Sequence, residues 1–279
     1  MFPAGLYLVA TPIGNVGDLS PRAQETLAAC DRVLCEDTRH TGRLFTRLGI
    51  DRPLARFDDH TAPAALAGWV AELCDGRRLA LVSDAGSPLI SDPGFELVRA
   101  ARAAGVAVHA VPGPSALLLA LTLSGLPTDR FTFTGFVPRK GAPRRDWLAE
   151  LAKARATWVC FESPHRLAAT LDDTGAAIGP ARLVTVCREL TKLHEEVRSG
   201  TAAQLADHYR RHPAKGEVTL VIAGTGRPPA PTVGDAEITL LKALVAGEPL
   251  APRHAAKLVG AATGCAVNAL YESLSMADP

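Results

Sequence analysis

The chain has 279 residues, of which 47% are hydrophobic, ample for buried cores and too many for a disordered chain. Aromatics make up only 5%, so packing must rest on Ala, Leu and Val. A formal net charge of +1 argues against a protein that coats nucleic acid non-specifically, since such binding rests on many phosphate contacts. A local basic patch stays open.

The first strand signal is the short apolar run Leu6–Ala10, which stops at Thr11-Pro12-Ile13-Gly14-Asn15. Ser20-Pro21 reads as an N-cap with proline at the first helical position, opening a helix through Arg22–Ala29. A strand at Val33–Cys35, a helix at Ala64–Leu73, a strand at Leu79–Val82, a helix at Phe95–Ala104 and a strand at Val106–Val111 follow. The punctuated stretch Ser124–Arg130 reads as a hinge between two lobes. Beyond it, strands are expected near Phe131–Phe133, Thr157–Phe161, Leu183–Val186 and Val218–Ala223. Helices are expected near Arg144–Ala154, Leu167–Ile178 and Ala202–Arg211. Helix and strand alternate throughout, which favours right-handed βαβ units and a parallel sheet. Arg227-Pro228-Pro229-Ala230-Pro231 reads as an extended linker. Apolar periodicity at Ile238–Val245, His254–Val259 and Val267–Leu274 then gives a small helical appendage. The fold class is α/β, with an N-terminal lobe over 1–123, a second lobe over 124–226, and a linker and helical tail over 227–279.

The six cysteines (30, 35, 74, 160, 187 and 265) form no Cys-x-x-Cys unit or zinc-spaced cluster, so no metal is expected. They read as small core residues of a reducing compartment. No basic leader precedes the first strand, and no apolar run approaches the roughly 20 residues that span a bilayer. A soluble, cytoplasmic protein without membrane contact is expected.

No Gly-x-x-x-x-Gly-Lys-Ser/Thr loop is present, which argues against a P-loop enzyme. The lone Gly-x-Gly, Gly224-Thr225-Gly226, runs into Arg227-Pro228-Pro229, so the helix that a dinucleotide fingerprint needs cannot start there. Instead, polar turns follow the C-terminal ends of predicted strands, where parallel sheets bind ligands. The richest is Ser83 to Gly94, with Asp84, Ala85, Gly86 and Ser87. Asp84 can accept from ribose hydroxyls or offset a positive charge, or simply form an Asx-turn. Ser115 in Pro112-Gly113-Pro114-Ser115-Ala116 is a helix N-cap, a ligand donor, or both.

In Phe161-Glu162-Ser163-Pro164-His165-Arg166, Glu162 and Arg166 can be a structural ion pair or part of a site. Arg188-Glu189-Leu190-Thr191-Lys192 and Lys215-Gly216-Glu217 are charged clusters at further strand ends. Glu36-Asp37-Thr38-Arg39-His40-Thr41 offers acid-base or phosphate-holding groups, or merely a helix start whose acids favour its dipole. His60 is a further candidate. The basic run Arg139-Lys140-Gly141-Ala142-Pro143-Arg144-Arg145 suits an exposed loop that meets phosphates.

Taken in order, Thr11–Asn15, Glu36–Thr41, Ser83–Gly94, Pro112–Ser115, Glu162–Arg166, Arg188–Lys192 and Lys215–Glu217 resemble the bacterial ribosomal RNA small subunit methyltransferase I family of the tetrapyrrole-methylase fold. Asn268-Ala269-Leu270-Tyr271 in the tail resembles it too. Two departures stand out. Asp58-Asp59-His60-Thr61 replaces a His-Glu-His-Asn-like run, and Ser87 stands where threonine is commoner.

The resemblance implies S-adenosylmethionine in the cleft between two α/β lobes, a homodimer, and 2′-O-methylation of a decoding-centre cytidine in 16S ribosomal RNA, as naked RNA or assembled subunit. It places Pro12, Asp84, Ala85, Gly86, Ser87, Ser115, Ala116, Phe161 and Glu162 at the cofactor. Asp37 or Glu189 is expected as base, with Arg39 or Lys192 holding phosphate or the developing oxyanion. His60, Arg139, Lys140, Arg144, Arg145 and Arg166 are the expected substrate contacts. Rival readings are a methylase of tetrapyrrole precursors or of a protein side chain on the same fold, and a non-catalytic RNA-binding protein.

Overall fold

In the computed structural model, which describes residues 2–226, 233–247 and 250–275, the chain divides after Gly224 into two compact units. The larger unit holds two five-stranded sheets.

The first sheet is built from β1 (Gly5–Val9), β2 (Arg32–Cys35), β3 (Leu54–Arg56), β4 (Arg78–Leu81) and β5 (Val108–Val111). Its order is β3-β2-β4-β1-β5, every pair parallel. Side chains alternate between its two faces. Tyr7, Val9, Val33 and Cys35 pack on α1 (Pro21–Ala29) and α2 (Thr38–Leu48) through Leu27 and Phe45. Leu6, Leu34, Leu79 and Leu81 pack on α3 (Pro63–Cys74) and α4 (Phe95–Ala103) through Leu73 and Leu97. Ser20 caps α1 as expected, accepting from the Ala23 amide.

The second sheet joins β6 (Phe131–Phe136), β7 (Thr157–Glu162), β8 (Leu183–Arg188), β9 (Glu196–Thr201) and β10 (Val218–Ile222) in the order β6-β7-β10-β8-β9. Here the expected parallel arrangement is corrected. Only β6 and β7 are parallel; β10 runs antiparallel to both neighbours, and β8–β9 is a further antiparallel pair. The fully buried run Val218–Ile222 reads identically in either direction, so composition alone could not reveal it. One face carries α6 (Gly141–Lys153), α7 (Leu167–Ile178) and α8 (Ala202–Arg211). The other carries α5 (Ala116–Leu123), whose Ala120 and Leu121 pack with Val159, Cys187 and Val221.

A second correction concerns the basic run. Only Arg139 and Lys140 lie in a loop: α6 starts at Gly141 and takes in Arg144 and Arg145, and Pro143 sits in its first turn, where a missing amide costs nothing. Five of the six cysteines are buried and Cys74 is exposed.

The second unit contains α9 (Asp235–Gly247), α10 (Pro252–Thr263) and α11 (Val267–Ser275) around Leu241, Ala256, Val259 and Leu270. The linker expected at Arg227–Pro231 lies outside the described residues. Among the described residues no helix is long and apolar enough to cross a membrane.

Candidate active site

Strand direction gathers the site. In the first sheet the C-terminal ends of β1, β2, β4 and β5 share one edge, which brings together the turns at Thr11, Glu36, Ser83 and Pro112. In the second sheet Val218 is in register with both Glu162 and Arg188. Because β10 is antiparallel, its start meets the ends of β7 and β8. Lys215-Gly216-Glu217, which precedes a strand, therefore joins motifs that follow strands.

These edges line two adjoining cavities. The first, about 510 Å³, is walled by Asp84, Ala85, Gly86, Ser87, Ser115 and Ala116 from the first sheet's loops, and by Phe161 and Glu162 from β7. The second, about 390 Å³, contains Pro12, His40, Arg43, Arg47 and Lys192. Ile13, Asp84, Ala85 and Glu217 belong to both walls. Of the nine residues expected at the cofactor, only Pro12 lies outside the first cavity, in the second.

The loop after β4 is held by backbone bonds rather than by helix. The Thr11 amide donates to the Gly86 carbonyl at 2.8 Å, and the Gly86 amide returns the bond at 3.1 Å. The Ser83 hydroxyl donates to the same carbonyl at 3.1 Å. Leu89, Ser91, Glu189 and Thr191 are the non-glycine residues with positive φ among those described. Ser91 lines the first cavity, Leu89 lies in the same loop, and Glu189 and Thr191 belong to the turn that carries Lys192 to the second; strain of this kind gathers at ligand sites. Ser115 proves to be the N-cap of α5, accepting from the Leu118 amide, while also facing the first cavity.

Five carboxylates line the first cavity; Glu162 and Glu217 are paired with Arg166 and Lys192, which leaves Glu36, Asp84 and Asp92 without a cation among the described residues. Burial, then the charges of Asp92 and Asp84, push the Glu36 carboxyl up to about 7. Burial pushes Asp92 up to about 6, against a hydrogen bond from Ser83 and with the charge of Asp84 adding to it. The same cavity is also lined by apolar Ile13, Ile90, Leu117 and Phe136. Such a cavity lacks a cation. A ligand with a flat aromatic ring system and a positive centre, as S-adenosylmethionine has, fits it in size and charge.

Glu162 is different. Its fully buried carboxylate turns away to Arg166, and it accepts from the Thr170 hydroxyl and, at 2.6 Å, from the Ser163 amide. Arg166 also donates to the Val137 carbonyl at 3.2 Å, so the pair braces the start of α7.

At the second cavity, Lys192 donates to Glu189 at 2.7 Å and to Glu217 at 2.8 Å. Burial opposes its charge, but these two carboxylates outweigh that and raise its pKa. Glu189 is likewise disfavoured by burial, yet Lys192 and the Glu217 amide bring its pKa below the usual carboxylate value. Two glycines make the arrangement possible. A Cβ on Gly14 would fall 2.3 Å from the Lys192 stem, and one on Gly216 would fall 2.0 Å from the Glu189 carboxylate.

The remaining expected residues are scattered. Asp37 caps α2 and pairs with exposed Arg39 at 3.1 Å; that bond holds its carboxyl down at about 2. Neither residue lines either cavity. His60 sits in a separate shallow depression with Arg56, Asp58 and Trp69. Arg139, Lys140 and Arg145 are exposed at the start of α6, outside both cavities. Arg144 turns inward onto Asp173 at 2.7 Å, the Pro138 carbonyl at 2.9 Å and the Thr170 hydroxyl at 3.1 Å, which replaces its reading as an exposed phosphate contact. Sequence reading gave Glu36 no role of its own and missed Asp92, Arg43 and Arg47. The arginines recur at helical spacing after Arg39-His40, a signal visible once Thr38–Leu48 is taken as a helix.

Two sheets with this cleft define a known class. The chain belongs to the family of Tetrapyrrole (Corrin/Porphyrin) Methylases, whose model matches residues 5–206. It is similar to proteins named ribosomal RNA small subunit methyltransferase I. The one from Xylella fastidiosa strain Temecula1 is 47% identical, covering 96% of this chain and 98% of that protein. The one from Escherichia coli O157:H7 is 42% identical, covering 96% and 93%. Among solved structures, the fold is similar to diphthine synthase, with a TM-score of 0.60, 16% identity and coverage of 80% and 90%. It is also similar to uroporphyrin-III-C-methyltransferase from Thermus thermophilus, with a TM-score of 0.56, 23% identity and coverage of 78% and 93%.

Proposed function

We propose that this methyltransferase uses S-adenosylmethionine to methylate the 2′-hydroxyl of a cytidine ribose in the decoding centre of 16S ribosomal RNA. The observation that carries the reading is the pair of adjoining cavities. One is acidic and apolar and suits a sulfonium cofactor; the other is lined by cations and suits a polyanion. The printed names of the relatives support RNA of the small subunit as substrate. The choice of a cytidine ribose rests on the motif resemblance.

When bound, the cofactor supplies a methyl group on a positively charged sulfur, ready for in-line displacement. The Asp84–Ser87 loop, Ser115, Ala116 and Phe161 would hold it, with Glu36 and Asp92 facing its positive charge. The wall shared by both cavities is where acceptor and methyl would be aligned. Lys192 stands beside that wall and carries its proton through neutral pH. Its role is to stabilise the negative charge that develops on the ribose oxygen as the hydroxyl proton passes to solvent water in the second cavity. Glu189 positions Lys192 rather than touching substrate. Asp37, ionised but held near 2, is too weak a base to take much of the proton's charge. Arg39 follows it as a partner.

The test is digestion of labelled RNA to nucleosides with mass analysis. Label in 2′-O-methylcytidine is expected, and Lys192→Met should slow single-turnover transfer by on the order of a hundredfold with cofactor affinity unchanged. Label on a base, or an undiminished rate in the variant, would overturn target and role respectively.

A further inference from the structure

α2 presents an unpaired cationic face to the second cavity. Its Thr41 and Phe45 are buried, while His40, Arg43 and Arg47 are exposed and all three line the cavity. Spaced three, then four, residues apart, they stand one above another on the helix. The helix carries no acidic residue, and among the described residues neither Arg43 nor Arg47 has an ion-pair partner. Arginines set against other clefts and helices of this unit are engaged by carboxylates, Arg78 by Asp31, Arg144 by Asp173 and Arg188 by Glu196. Among the described residues, what sets Arg43 and Arg47 apart from other exposed arginines without an ion pair is that both line a cavity.

The carboxylates in the same wall do not answer this charge. Glu217 is taken by Lys192, and Asp84 accepts from the Asp37 amide at 3.4 Å on the border with the first cavity. Two unneutralised guanidiniums four residues apart repel each other along a helix, and an anion between them removes that repulsion. The basic run at Arg139–Arg145, the stronger sequence signal, lines neither cavity.

We propose that Arg43 and Arg47, with His40 beside them, form a cradle for the backbone phosphates that flank the target nucleotide, setting its ribose against the shared wall of the two cavities. This deepens the functional reading above and rests on it. The occupant is RNA backbone, recognised through phosphate charge and not through base edges. The cradle adjoins the cofactor cavity but shares neither arginine with it, so its loss acts on RNA and leaves the cofactor alone.

The experiment compares the full-length chain with Arg43→Gln/Arg47→Gln, Arg43→Lys/Arg47→Lys and a charge-matched control, Arg77→Gln/Arg102→Gln, at two exposed positions outside both cavities. RNA affinity is measured across a salt series, KM for RNA in methyl transfer, cofactor affinity by calorimetry, and folding by thermal melting. The glutamine pair should raise KM for RNA about tenfold and flatten the salt slope by about 1.5 to 2, as loss of two phosphate contacts requires. Cofactor affinity and melting should stay at the parent values, and the lysine pair should recover most of the RNA affinity. A glutamine pair that matches the Arg77→Gln/Arg102→Gln control in KM and salt slope overturns the cradle while leaving the functional reading intact. A pair that melts early while the lysine pair is stable yet RNA-deficient also overturns it, because charge alone then does not serve. A parent chain that neither binds nor methylates RNA overturns the functional reading itself, and the cradle with it.

Discussion

Titrating cofactor binding against pH probes the acidic cavity directly. Without ligand, Glu36 is held at about 7 and Asp92 at about 6, by burial and by the carboxylates facing them. At pH 7 the first is about half protonated and the second about one-tenth; at pH 6 the fractions are about nine-tenths and one-half. A bound cation that returns both to the ordinary carboxylate range therefore releases about 0.6 proton at pH 7, about 1.4 at pH 6 and about 0.1 at pH 8. Affinity should climb by up to about a hundredfold between pH 5.5 and pH 8, because below pH 6 each ligand must first displace protons.

The assay is calorimetry of S-adenosylmethionine in two buffers of different ionisation heat, with S-adenosylhomocysteine, which lacks the sulfonium charge, as reference. Glu36→Gln should cut proton release at pH 7 from about 0.6 to about 0.1. Flat affinity across this range, with no proton release, would refute the reasoning that these carboxylates await a cation.

The same carboxyls bear on stability. Their folded-state values are raised, so the native state is penalised when they ionise: the penalty is absent below about pH 4 and complete above about pH 8. The ligand-free protein should melt lower at pH 8 than at pH 5, and Glu36→Gln should shrink the difference. Glu162→Gln leaves Arg166 without its buried counter-charge and should cost about 3 kcal/mol in urea titration. A loss below about 1 kcal/mol would show that the pair does not brace α7. Arg144→Met should cost about 1.5 to 3 kcal/mol through its lost bonds to Asp173, Pro138 and Thr170, with KM for RNA within about twofold of the parent. A large rise in KM without loss of stability would return Arg144 to the substrate. Gly216→Ala sets a Cβ against Glu189 at a φ of +82°, so transfer should fall by on the order of tenfold as Lys192 loses its support. An unchanged rate would mean that Glu189 does not position Lys192.

Most elements were legible because their sequences carry local signals. Ser20-Pro21 marks a helix start wherever it packs, and Leu167–Ile178 and Ala202–Arg211 were read to the residue. β9 escaped notice because Glu196–Thr201 is an edge strand with exposed polar side chains and no apolar alternation. Strand direction in the second sheet was hidden for the opposite reason, since Val218–Ile222 is apolar on both faces.

At the site, the loops Asp84–Ser87 and Ser115-Ala116 were legible as motifs and do share a cavity. The charged residues divided by their partners, which spacing does not reveal. Lys192 faces a cavity, while Arg166 and Arg144 are bound to buried neighbours. Glu36 was passed over because its character comes from Asp84 and Asp92, which are far away in sequence.

The most direct test of the central claim is tritium transfer from labelled S-adenosylmethionine, offered in parallel to assembled small ribosomal subunits, naked 16S RNA, large subunits and a tetrapyrrole precursor. The account predicts label in small-subunit RNA, with little in large subunits or the tetrapyrrole. Label in the tetrapyrrole alone, or none in any RNA despite measurable cofactor binding, would contradict it.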